Sequence, residues 1–228
     1  VSIRSPSGIP QCRAFGGPRF RRFVATQGAN GKGHTVLQSQ ASALMEMVER
    51  YSCFKLLHEC KNSLYVTAGS LNERYVTLQE LSSLFVANHK PCPLKIDQMH
   101  ETVPILWYPG YTLKGESVYL PLMLILHIEG TNGMSAGNSI EEALIHGICE
   151  VIERHCLGLV VALGLETPRV DVSTIKSPLL KDLIYRVKKT TSYELVIRDF
   201  SLNLGIPVIA VIRRVDEFQC LITVGVAT

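Results

Sequence analysis

The 228-residue sequence has little excess charge and no long apolar segment. Its 23 basic residues exceed its 20 acidic residues by three, whereas proteins that bind duplex nucleic acid concentrate many Lys and Arg residues on one face. The longest apolar run, residues 118–128, contains Pro121 and is too short to cross a bilayer as a helix. We therefore predict neither a nucleic-acid partner nor a membrane span, and we interpret the run as one or two core strands.

Cysteine and histidine are present, but not in the spacings of disulfide scaffolds or metal sites. The seven cysteines are an odd number and include no C-x-x-C pair, so neither a disulfide framework nor a zinc ribbon is supported. The seven histidines include no H-x-x-x-H pair, which argues against a histidine metal site. Cys149 and Cys156 lie in an apolar helical context, and we interpret them as small buried residues of a protein in the reducing cytoplasm.

The composition is that of a folded globular protein, with 46% hydrophobic and 19% charged residues. Helical periodicity alternates with β-rich runs, which predicts a mixed α/β fold. Residues 1–33, rich in Gly, Pro and Arg, are predicted to form strands and loops. The predicted helices cover residues 35–58, 77–87, 140–163 and 178–190, and the second begins with Thr77 as N-cap and Glu80 three positions on, which is the pattern of a capping box. The predicted strands cover residues 103–113, 117–129, 169–172 and 194–200, followed by a hairpin of residues 207–215 and 219–227 that turns at 216–218.

The most informative feature is an internal repeat of a loop and a helix. Residues 42–51 read SALMEMVERY and residues 146–155 read HGICEVIERH. Both contain a small residue, two apolar residues, Glu, two more apolar residues, Glu, Arg and a ring. A loop that contains Gly and Asn precedes each copy, so the repeat extends beyond a short motif.

The spacing places the acidic residues of each copy along one helix edge. Positions i, i+3 and i+4 share a helix face, so Glu46, Glu49 and Arg50 project together in the first copy. In the second copy Glu150, Glu153 and Arg154 do the same, and Glu142 lies on the same stripe of that helix. Carboxylates that face one another across a cleft require a cation, and hard oxygen ligands select Mg²⁺, Ca²⁺ or Mn²⁺ over Zn²⁺. The alternative is ordinary surface Glu–Arg pairing at i, i+4. We favour this interpretation less, because the motif occurs twice and both copies have apolar flanks.

Two glycine-containing loops precede the repeated helices. In the first loop, Gly-Lys-Gly at 31–33 resembles a phosphate loop, but Thr26 and Gly33 stand where a Walker motif needs Gly and Ser or Thr. Backbone N–H groups beside Lys32 would still suit an anion, and a plain turn before a helix is the alternative. In the second loop, Ser135 and Asn138 either bind a ligand or, for Asn138 with Ser139, cap the following helix.

Two further features each have two interpretations. His146 lies seven residues before Glu153 and either reaches the acidic cleft or is a structural histidine. Residues 19–23 interleave arginines with phenylalanines, as single-strand nucleic-acid binders do. Because no second basic run supports that function, we favour a strand with one basic, solvated face.

At these residues the chain resembles the YcaO family, the ATP-dependent enzymes that modify peptide backbone amides. The resemblance rests on Gly-Lys-Gly at 31–33, on S-x3-E-x2-E-R at 42–50, and above all on S-x2-N-x3-E-x7-E-x2-E-R at 135–154. It covers residues 8–226. The third motif is highly specific, whereas the first alone is not.

The resemblance implies a YcaO-like α/β fold and a site for ATP and Mg²⁺ that differs from a P-loop. In the family, a nucleophile adds to a backbone amide, ATP phosphorylates the amide oxygen, and loss of phosphate leaves an azoline, thioamide or amidine. The implied metal ligands, which would also be the catalytic residues, are Glu46, Glu49, Glu150 and Glu153. The residues implied to bind nucleotide, orient the carboxylates or contact the metal are Lys32, Ser42, Arg50, Ser135, Asn138, Glu142 and Arg154.

The resemblance also sets expectations for the whole protein. It implies a single YcaO-like domain over residues 1–228 that lacks the amino- and carboxyl-terminal parts of the family domain. It implies a peptide or protein substrate, a partner that presents the substrate or delivers sulfur, a homodimer, and a cytoplasmic location. The alternative function is a catalytically inactive scaffold that uses the same fold to bind a peptide or a partner protein.

Overall fold

Strands and helices alternate along the chain, as the sequence predicts for a mixed α/β fold. The structure, a computed structural model, describes residues 2–3, 8–24, 28–77, 79–81, 102–190, 194–214 and 220–226. The elements in chain order are β1 (Ser2–Ile3), β2 (Gln11–Phe15), α1 (Pro18–Arg21), β3 (Gly28–Lys32), α2 (Val36–Glu59), β4 (Leu64–Val66), β5 (Ile105–Tyr111), β6 (Ser117–Leu120), α3 (Leu122–Glu129), α4 (Ile140–Leu163), α5 (Pro178–Thr190), β7 (Glu194–Asp199), β8 (Val208–Arg214) and β9 (Cys220–Val226).

The chain divides into two compact units. Residues 1–54 and 133–228 form the first unit, and residues 55–132 form the second. The first unit contains the sheets β1-β2-β3 and β7-β8-β9, and the second contains β4-β5-β6. That residues 1–228 act as one domain stays a prediction.

In the first unit, residues 28–32 of the glycine cluster form the strand β3 rather than a turn, so the interpretation of the cluster as a loop is wrong. β3 pairs antiparallel with β2, with Gly31 opposite Cys12. A Cβ atom on Gly31 would overlap the main-chain oxygen of Ser39 and the main-chain nitrogen of Ala43. Glycine therefore allows β3 to lie directly against α2, which explains the composition of the cluster without a phosphate.

The basic and aromatic residues 19–23 do not form the predicted strand. Pro18 stands at the first position of α1, where its missing N–H and fixed φ favour a helix start. Phe20 and Phe23 contact the ring of Tyr51 on α2, with ring centroids 6.3 and 5.6 Å apart. The arginines of this segment therefore flank an aromatic contact inside the protein.

The carboxyl-terminal sheet of the first unit packs against α4. Cys156 and Val160 of the helix form one core with Phe200, Val208 and Ala210. β7 pairs antiparallel with β8, and β8 with β9, which confirms the predicted hairpin strands to within one or two residues. The hairpin turn at 216–218 lies outside the described residues. The prediction that Cys156 is buried is confirmed, whereas Cys149 is only partly buried.

One predicted strand of the first unit is largely absent. Arg169 makes a single antiparallel bridge with Arg198, and a 3₁₀ helix follows at Val172–Thr174. The side chain of Asp171 accepts a hydrogen bond from the Ser173 N–H and so caps that helix. This local capping turns the chain away from the sheet after one bridge.

In the second unit, the apolar run at 118–128 is the end of a strand followed by a helix, so its interpretation as one or two core strands is wrong. β6 ends at Leu120, and α3 begins at Leu122 with Pro121 as its N-cap. Proline has no N–H for a sheet ladder but suits the start of a helix, and a short apolar run shows no periodicity that separates strand from helix. No helix among the described residues is long and apolar enough to cross a membrane.

A predicted helix start in the second unit is confirmed. The Glu80 carboxylate accepts a hydrogen bond from the Thr77 N–H at 2.7 Å, and the Thr77 hydroxyl accepts one from the Glu80 N–H at 3.1 Å. This reciprocal pair is a capping box. The rest of the predicted helix, through residue 87, lies outside the described residues. Nearby, the fully buried Trp107 donates a hydrogen bond to the carbonyl of Val66 at 3.0 Å.

Candidate functional site

The repeat seen in the sequence is also a repeat in the structure. Helices α2 (Val36–Glu59) and α4 (Ile140–Leu163) are both 24 residues long. Each residue of α4 lies 104 positions after its counterpart in α2, as the starts at 36 and 140 show. The predicted bounds of both helices are therefore confirmed to within one residue.

The start of α2 is fixed by a capping pair. The hydroxyl of Thr35 accepts a hydrogen bond from the N–H of Gln38 at 3.1 Å. The side-chain oxygen of Gln38 in turn accepts one from the N–H of His34 at 3.2 Å. Two N–H groups that would lack helical partners are thus satisfied.

The start of α4 is built in the same way, by the residues at the same offset. The hydroxyl of Ser139 accepts a hydrogen bond from the N–H of Glu142 at 3.2 Å, and the carboxylate of Glu142 accepts one from the N–H of Asn138 at 2.8 Å. The Asn138 amide also reaches that carboxylate, at 3.4 Å. Asn138 and Glu142, both predicted ligand residues, therefore hold each other in place at the helix start.

A cavity of about 360 Å³ lies between the two repeated helices, within the first unit. It contains six of the residues that the sequence predicts for the site, together with four others. We call it the acidic cavity. Its lining residues are Ser42, Met45, Glu46, Glu49, Arg50, Met134, Ala136, His146, Glu150 and Arg154.

Each helix contributes two carboxylates and one guanidinium to this region. Arg50 lies 3.4 Å from an oxygen of Glu46 and 3.4 Å from an oxygen of Glu49. Arg154 pairs in the same way with the two carboxylates of its own motif, at 3.7 and 3.9 Å. One positive charge for every two negative charges leaves this region with a net negative charge.

Glu49 is the carboxylate of this region whose pKa its surroundings raise most, and burial is the main cause. Its side chain is only 12% exposed. Burial raises the pKa of Glu49 to about 7; Arg50 opposes the rise, Glu150 and Glu46 add to it, and His146 opposes it. A proton or a cation is therefore favoured beside this carboxylate near neutral pH.

Glu153 lies beside the acidic cavity rather than in its lining. Burial raises the pKa of this carboxyl group, the neighbouring Arg154 lowers it, and Glu150 raises it further. Its side chain is 20% exposed. It remains close enough to Glu150 for the two carboxylates to repel each other.

The donors of the acidic cavity fit Mg²⁺ bound together with a nucleotide. Among the described residues, no three His, Cys, Asp or Glu side chains converge so as to hold an ion by themselves. Mg²⁺ is usually bound by one or two carboxylates, with phosphate oxygens and waters completing its octahedron. The Nε atom of Arg50 is buried and lies 3.4 Å from an oxygen of Glu49, but no hydrogen bond within the described residues satisfies it. The carboxylates, which repel each other, suit a cation, and the Arg50 N–H beside them suits a phosphate oxygen.

A second cavity, of about 420 Å³, shares Glu49 and Ala136 with the first. It is lined by residues 135–140 of the loop and by one edge of α2, so it contains the predicted ligands Ser135 and Asn138. The Ser135 hydroxyl donates a hydrogen bond to the carbonyl of Ala143 at 2.5 Å. This bond fixes the loop on α4, with Asn138 facing the cavity.

Of the predicted site residues, Lys32, Glu142 and Glu153 are not in the lining of either cavity. Glu142 and Glu153 adjoin the lining residues Asn138 and Glu150, whereas Lys32 lies on another face. Side chains alternate along a strand, and Gly31 faces α2. Lys32 is therefore on the opposite face of β3, where its side chain is exposed. The local sequence gave no indication of which face of the strand meets the helix.

Four residues of the acidic cavity were not assigned to the site from the sequence. Met134 and Ala136 come from the loop, Met45 from α2, and His146 from α4. His146 stands at the repeat position of Ser42, and this correspondence was the available signal for it. Of the two interpretations of His146, the structure supports the one that places it at the cleft.

The fold and the site define a mixed α/β protein in which a duplicated loop and helix surround an acidic cavity. The family model described as YcaO cyclodehydratase, ATP- and Mg²⁺-binding, matches residues 30–228. The chain therefore belongs to the YcaO family. This description confirms the expected family and names the expected cofactors, ATP and Mg²⁺.

Relatives with curated sequences are similar over most of this chain. The Escherichia coli ribosomal protein S12 methylthiotransferase accessory factor YcaO is 30% identical over 207 residues, which are 80% of this chain and 35% of that protein. A Methanothermobacter thermautotrophicus protein is 28% identical over 213 residues, which are 87% of this chain and 51% of that protein. The chain thus spans about half or less of the length of these relatives.

Solved structures confirm the YcaO-like fold. A heterocyclase in complex with substrate and cofactor superposes with a TM-score of 0.74 at 24% identity, covering 100% of this chain and 34% of that chain. YcaO from Methanopyrus kandleri, bound with AMPPCP and Mg²⁺, superposes with a TM-score of 0.68 at 21% identity, covering 100% of this chain and 56% of that chain.

Proposed function

We propose that this chain carries the nucleotide site of an enzyme that uses ATP and Mg²⁺ to phosphorylate a backbone amide of a peptide. The product would be a thioamide, an azoline or a related modification. The observation that carries the proposal is the acidic cavity between two helices with matched caps and matched Glu-x2-Glu-Arg motifs. Membership of the YcaO family supports the same reaction class.

The carboxylates would hold the metal, as the family resemblance implies. Glu46, Glu49 and Glu150 line the cavity, and Glu153 lies beside Glu150. Bound Mg-ATP would supply the phosphoryl group that activates the amide oxygen, with its ions neutralising the phosphate charge. The protein's part is to position these oxygens and to balance their charge with two arginines.

The remaining predicted residues would bind or position the nucleotide. Ser42, Arg50 and Arg154 line the acidic cavity, and Ser135 and Asn138 line the cavity next to it. Glu142 would act through Asn138, which it holds by two hydrogen bonds. Lys32, exposed on β3, is the member of the set with the least structural support.

The partners are also proposals. A heterocyclase with a similar fold is described in complex with substrate, and the E. coli relative is named an accessory factor. We propose a peptide or protein substrate for this chain, with a second protein that presents it or delivers sulfur. A homodimer and a cytoplasmic location complete the proposal.

Isothermal calorimetry with Mg-ATP tests the site. Glu46→Gln and Glu150→Gln keep the side-chain volume and an acceptor oxygen but remove the charge, so each should weaken binding at least about tenfold, or about 1.4 kcal/mol. Glu59→Gln is the matched control, because Glu59 is a carboxylate at the far end of α2 that pairs with Lys55 and Lys61. Wild-type affinity in both cavity variants would refute the assignment.

The second candidate is a peptide-binding scaffold without catalysis. Exposed apolar side chains on the first turns of both repeated helices favour it, including Leu37 and Ile140, which are 75% and 77% exposed. Formation of ADP in the presence of candidate peptides separates the two functions. Peptide binding that is independent of nucleotide, with no ADP formed, would favour the scaffold.

A further inference from the structure

The two copies of the repeat differ beside the helices. In the first copy, β3 pairs with β2, with Asn30 opposite Arg13. At the offset of 104, the counterpart of Ala29–Lys32 is residues 133–136. No strand among the described residues pairs with this segment. The second copy thus lacks the neighbour that β2 provides in the first.

Beyond Gly133, the main chain of this segment also has no hydrogen-bond partner among the described residues. Within the part of the chain that the structure describes, no hydrogen bond reaches the main-chain groups of residues 134–137, although these residues are partly buried. Main-chain groups removed from water are almost always paired. A partner with main-chain donors and acceptors of its own would satisfy them.

Residues 133–136 contribute alternately to two cavity linings. Met134 and Ala136 line the acidic cavity. Gly133 and Ser135 line a different cavity of about 270 Å³, which we call the apolar cavity. A period of two is typical of an extended chain with two faces.

The apolar cavity is formed by the exposed face of α4. Leu144, Ile148 and Val151 line it and are 47%, 39% and 52% exposed. A Cβ atom on Gly147 would lie only 2.8 Å from the carbonyl oxygen of Gly133, so the helix lies directly against the segment. The floor of the cavity is therefore apolar and its edge is main chain.

The counterpart in the first copy indicates what such a surface receives. There, Gln40, Ala43, Leu44 and Met47, which correspond to the α4 residues 144, 147, 148 and 151, line a cavity together with residues 12–15. Residues 12–15 belong to β2, the strand paired with β3. In the first copy, an extended strand thus stands beside both the main chain and the apolar helix face.

We propose that a peptide binds in extended form along residues 134–136, as an added strand that takes the place β2 has in the first copy. This inference rests on the proposed function, because it takes the occupant to be the peptide substrate. Strand addition would satisfy the main-chain groups and bring peptide side chains beside the apolar face in one step.

The register of the first copy gives the proposed peptide an orientation. Residues directly opposite each other in an antiparallel pair place their side chains on the same face. The peptide residue opposite Met134 therefore turns toward the acidic cavity, and the residues on either side of it turn toward Ile148. Substrates should therefore carry apolar residues on both sides of the modified position. The reacting amide would lie next to the acidic cavity.

Fluorescence anisotropy with a labelled decapeptide tests the proposal. The peptide alternates Val with Ser and ends in Lys residues for solubility. A second peptide carries N-methyl groups on alternate amides, which removes strand hydrogen bonds but keeps the side chains. We expect the first peptide to bind, and the N-methylated peptide to bind at least about tenfold more weakly.

The repeat provides a matched pair of variants. Ile148→Glu places a charge in the apolar cavity and should weaken peptide binding at least about tenfold. Leu44→Glu makes the same change at the counterpart position, 57% exposed, and should bind as the wild type does. Leu144→Gln is a milder change in the same cavity and should also weaken binding if Ile148→Glu fails to fold. Mg-ATP calorimetry on the same proteins should give wild-type affinity.

Four results would overturn the inference. The first is wild-type peptide affinity in both Ile148→Glu and Leu144→Gln, and the second is an equal loss of peptide affinity in Ile148→Glu and Leu44→Glu. The third is complete displacement of the peptide by Mg-ATP, and the fourth is a dimer that Ile148→Glu dissociates. The third would assign the free main-chain groups to the nucleotide, and the fourth would assign the face to a second copy of the chain. Failure of the nucleotide site itself would instead appear as unchanged Mg-ATP affinity in Glu150→Gln, with peptide binding intact.

Discussion

At the scale of single residues, Glu49 connects the geometry of the site to its chemistry. Glu49 lines both the acidic cavity and the neighbouring cavity. Burial raises its pKa to about 7, Arg50 counters the rise, and Glu150 and Glu46 add to it. Near neutral pH this carboxyl is therefore divided between its protonated and ionised forms, and a metal ion must displace the proton to bind.

Binding of Mg-ATP should therefore strengthen between pH 6 and pH 8. Below its pKa of about 7, Glu49 is mostly protonated and binding releases a proton, whereas above that value the carboxylate is already ionised. Calorimetry in buffers of different ionisation enthalpy measures both the affinity and the proton release. The Glu49→Gln variant is the control, because protonation of the nucleotide itself is common to both proteins. An identical pH dependence in the variant and the wild type would contradict this role.

At the scale of elements, glycines determine how closely strand and loop approach the repeated helices. Gly31 brings β3 against α2 at Ser39 and Ala43. Gly137 does the same for the loop before α4, since its Cβ would lie 2.5 Å from the nitrogen of Ala143. The caps and these contacts hold the start of each helix, and the acidic residues follow two to four turns later on the same rigid element.

Gly31→Ala should destabilise the first unit by about 1–3 kcal/mol, because the methyl group overlaps main-chain atoms that cannot move independently. Gly158→Ala is the control. Gly158 lies inside α4, and apart from the neighbouring backbone of its own helix no atom approaches its added Cβ within 4 Å. Alanine there should stabilise the protein by about 0.5–1 kcal/mol. Urea denaturation followed by circular dichroism measures both changes, and a loss at Gly158 as large as that at Gly31 would refute the packing argument.

At the scale of the whole molecule, each compact unit has a core of its own. Cys156 and Phe200 belong to the core of the first unit, and Leu81 is buried with Leu124 and Ile125 in the second. The acidic cavity and both neighbouring cavities lie entirely within the first unit. A ligand bound there stabilises the unit that holds it.

Hydrogen exchange followed by mass spectrometry should reveal this division. With Mg-ATP at a hundred times its Kd, amides of α2 residues 36–54 and of α4 should exchange up to about 100-fold more slowly, because the ligand binds the folded unit alone. Amides of β4, β5 and β6 should keep their rates, since they belong to the second unit. Equal slowing in both units would mean that they open together. At the same ligand concentration, Glu150→Gln should reduce the slowing to about 10-fold or less, because it binds Mg-ATP at least about tenfold more weakly.

The sequence by itself determined the features that depend on neighbours in the chain. The bounds of α2 and α4, the capping box at Thr77 and Glu80, and the alignment of Glu46 with Glu49 follow from helical periodicity and capping, which act over three or four residues. Family membership also followed from local motifs. The errors came where local signals are ambiguous: Pro121 separates a strand from a helix inside one apolar run, and Pro18 starts a helix among arginines.

Only the tertiary structure decided which of these residues meet. The placement of Lys32 on the outer face of β3 depends on the packing of Gly31 against α2, which periodicity does not encode. The raised pKa of Glu49 depends on burial and on Glu150, which is distant in sequence, and neither effect can be assigned until the helices are placed. The positions of Met134 and His146 in the acidic cavity have the same origin. Charge and burial act through space, so the chemistry of the site became definite only when the fold brought the two copies of the repeat together.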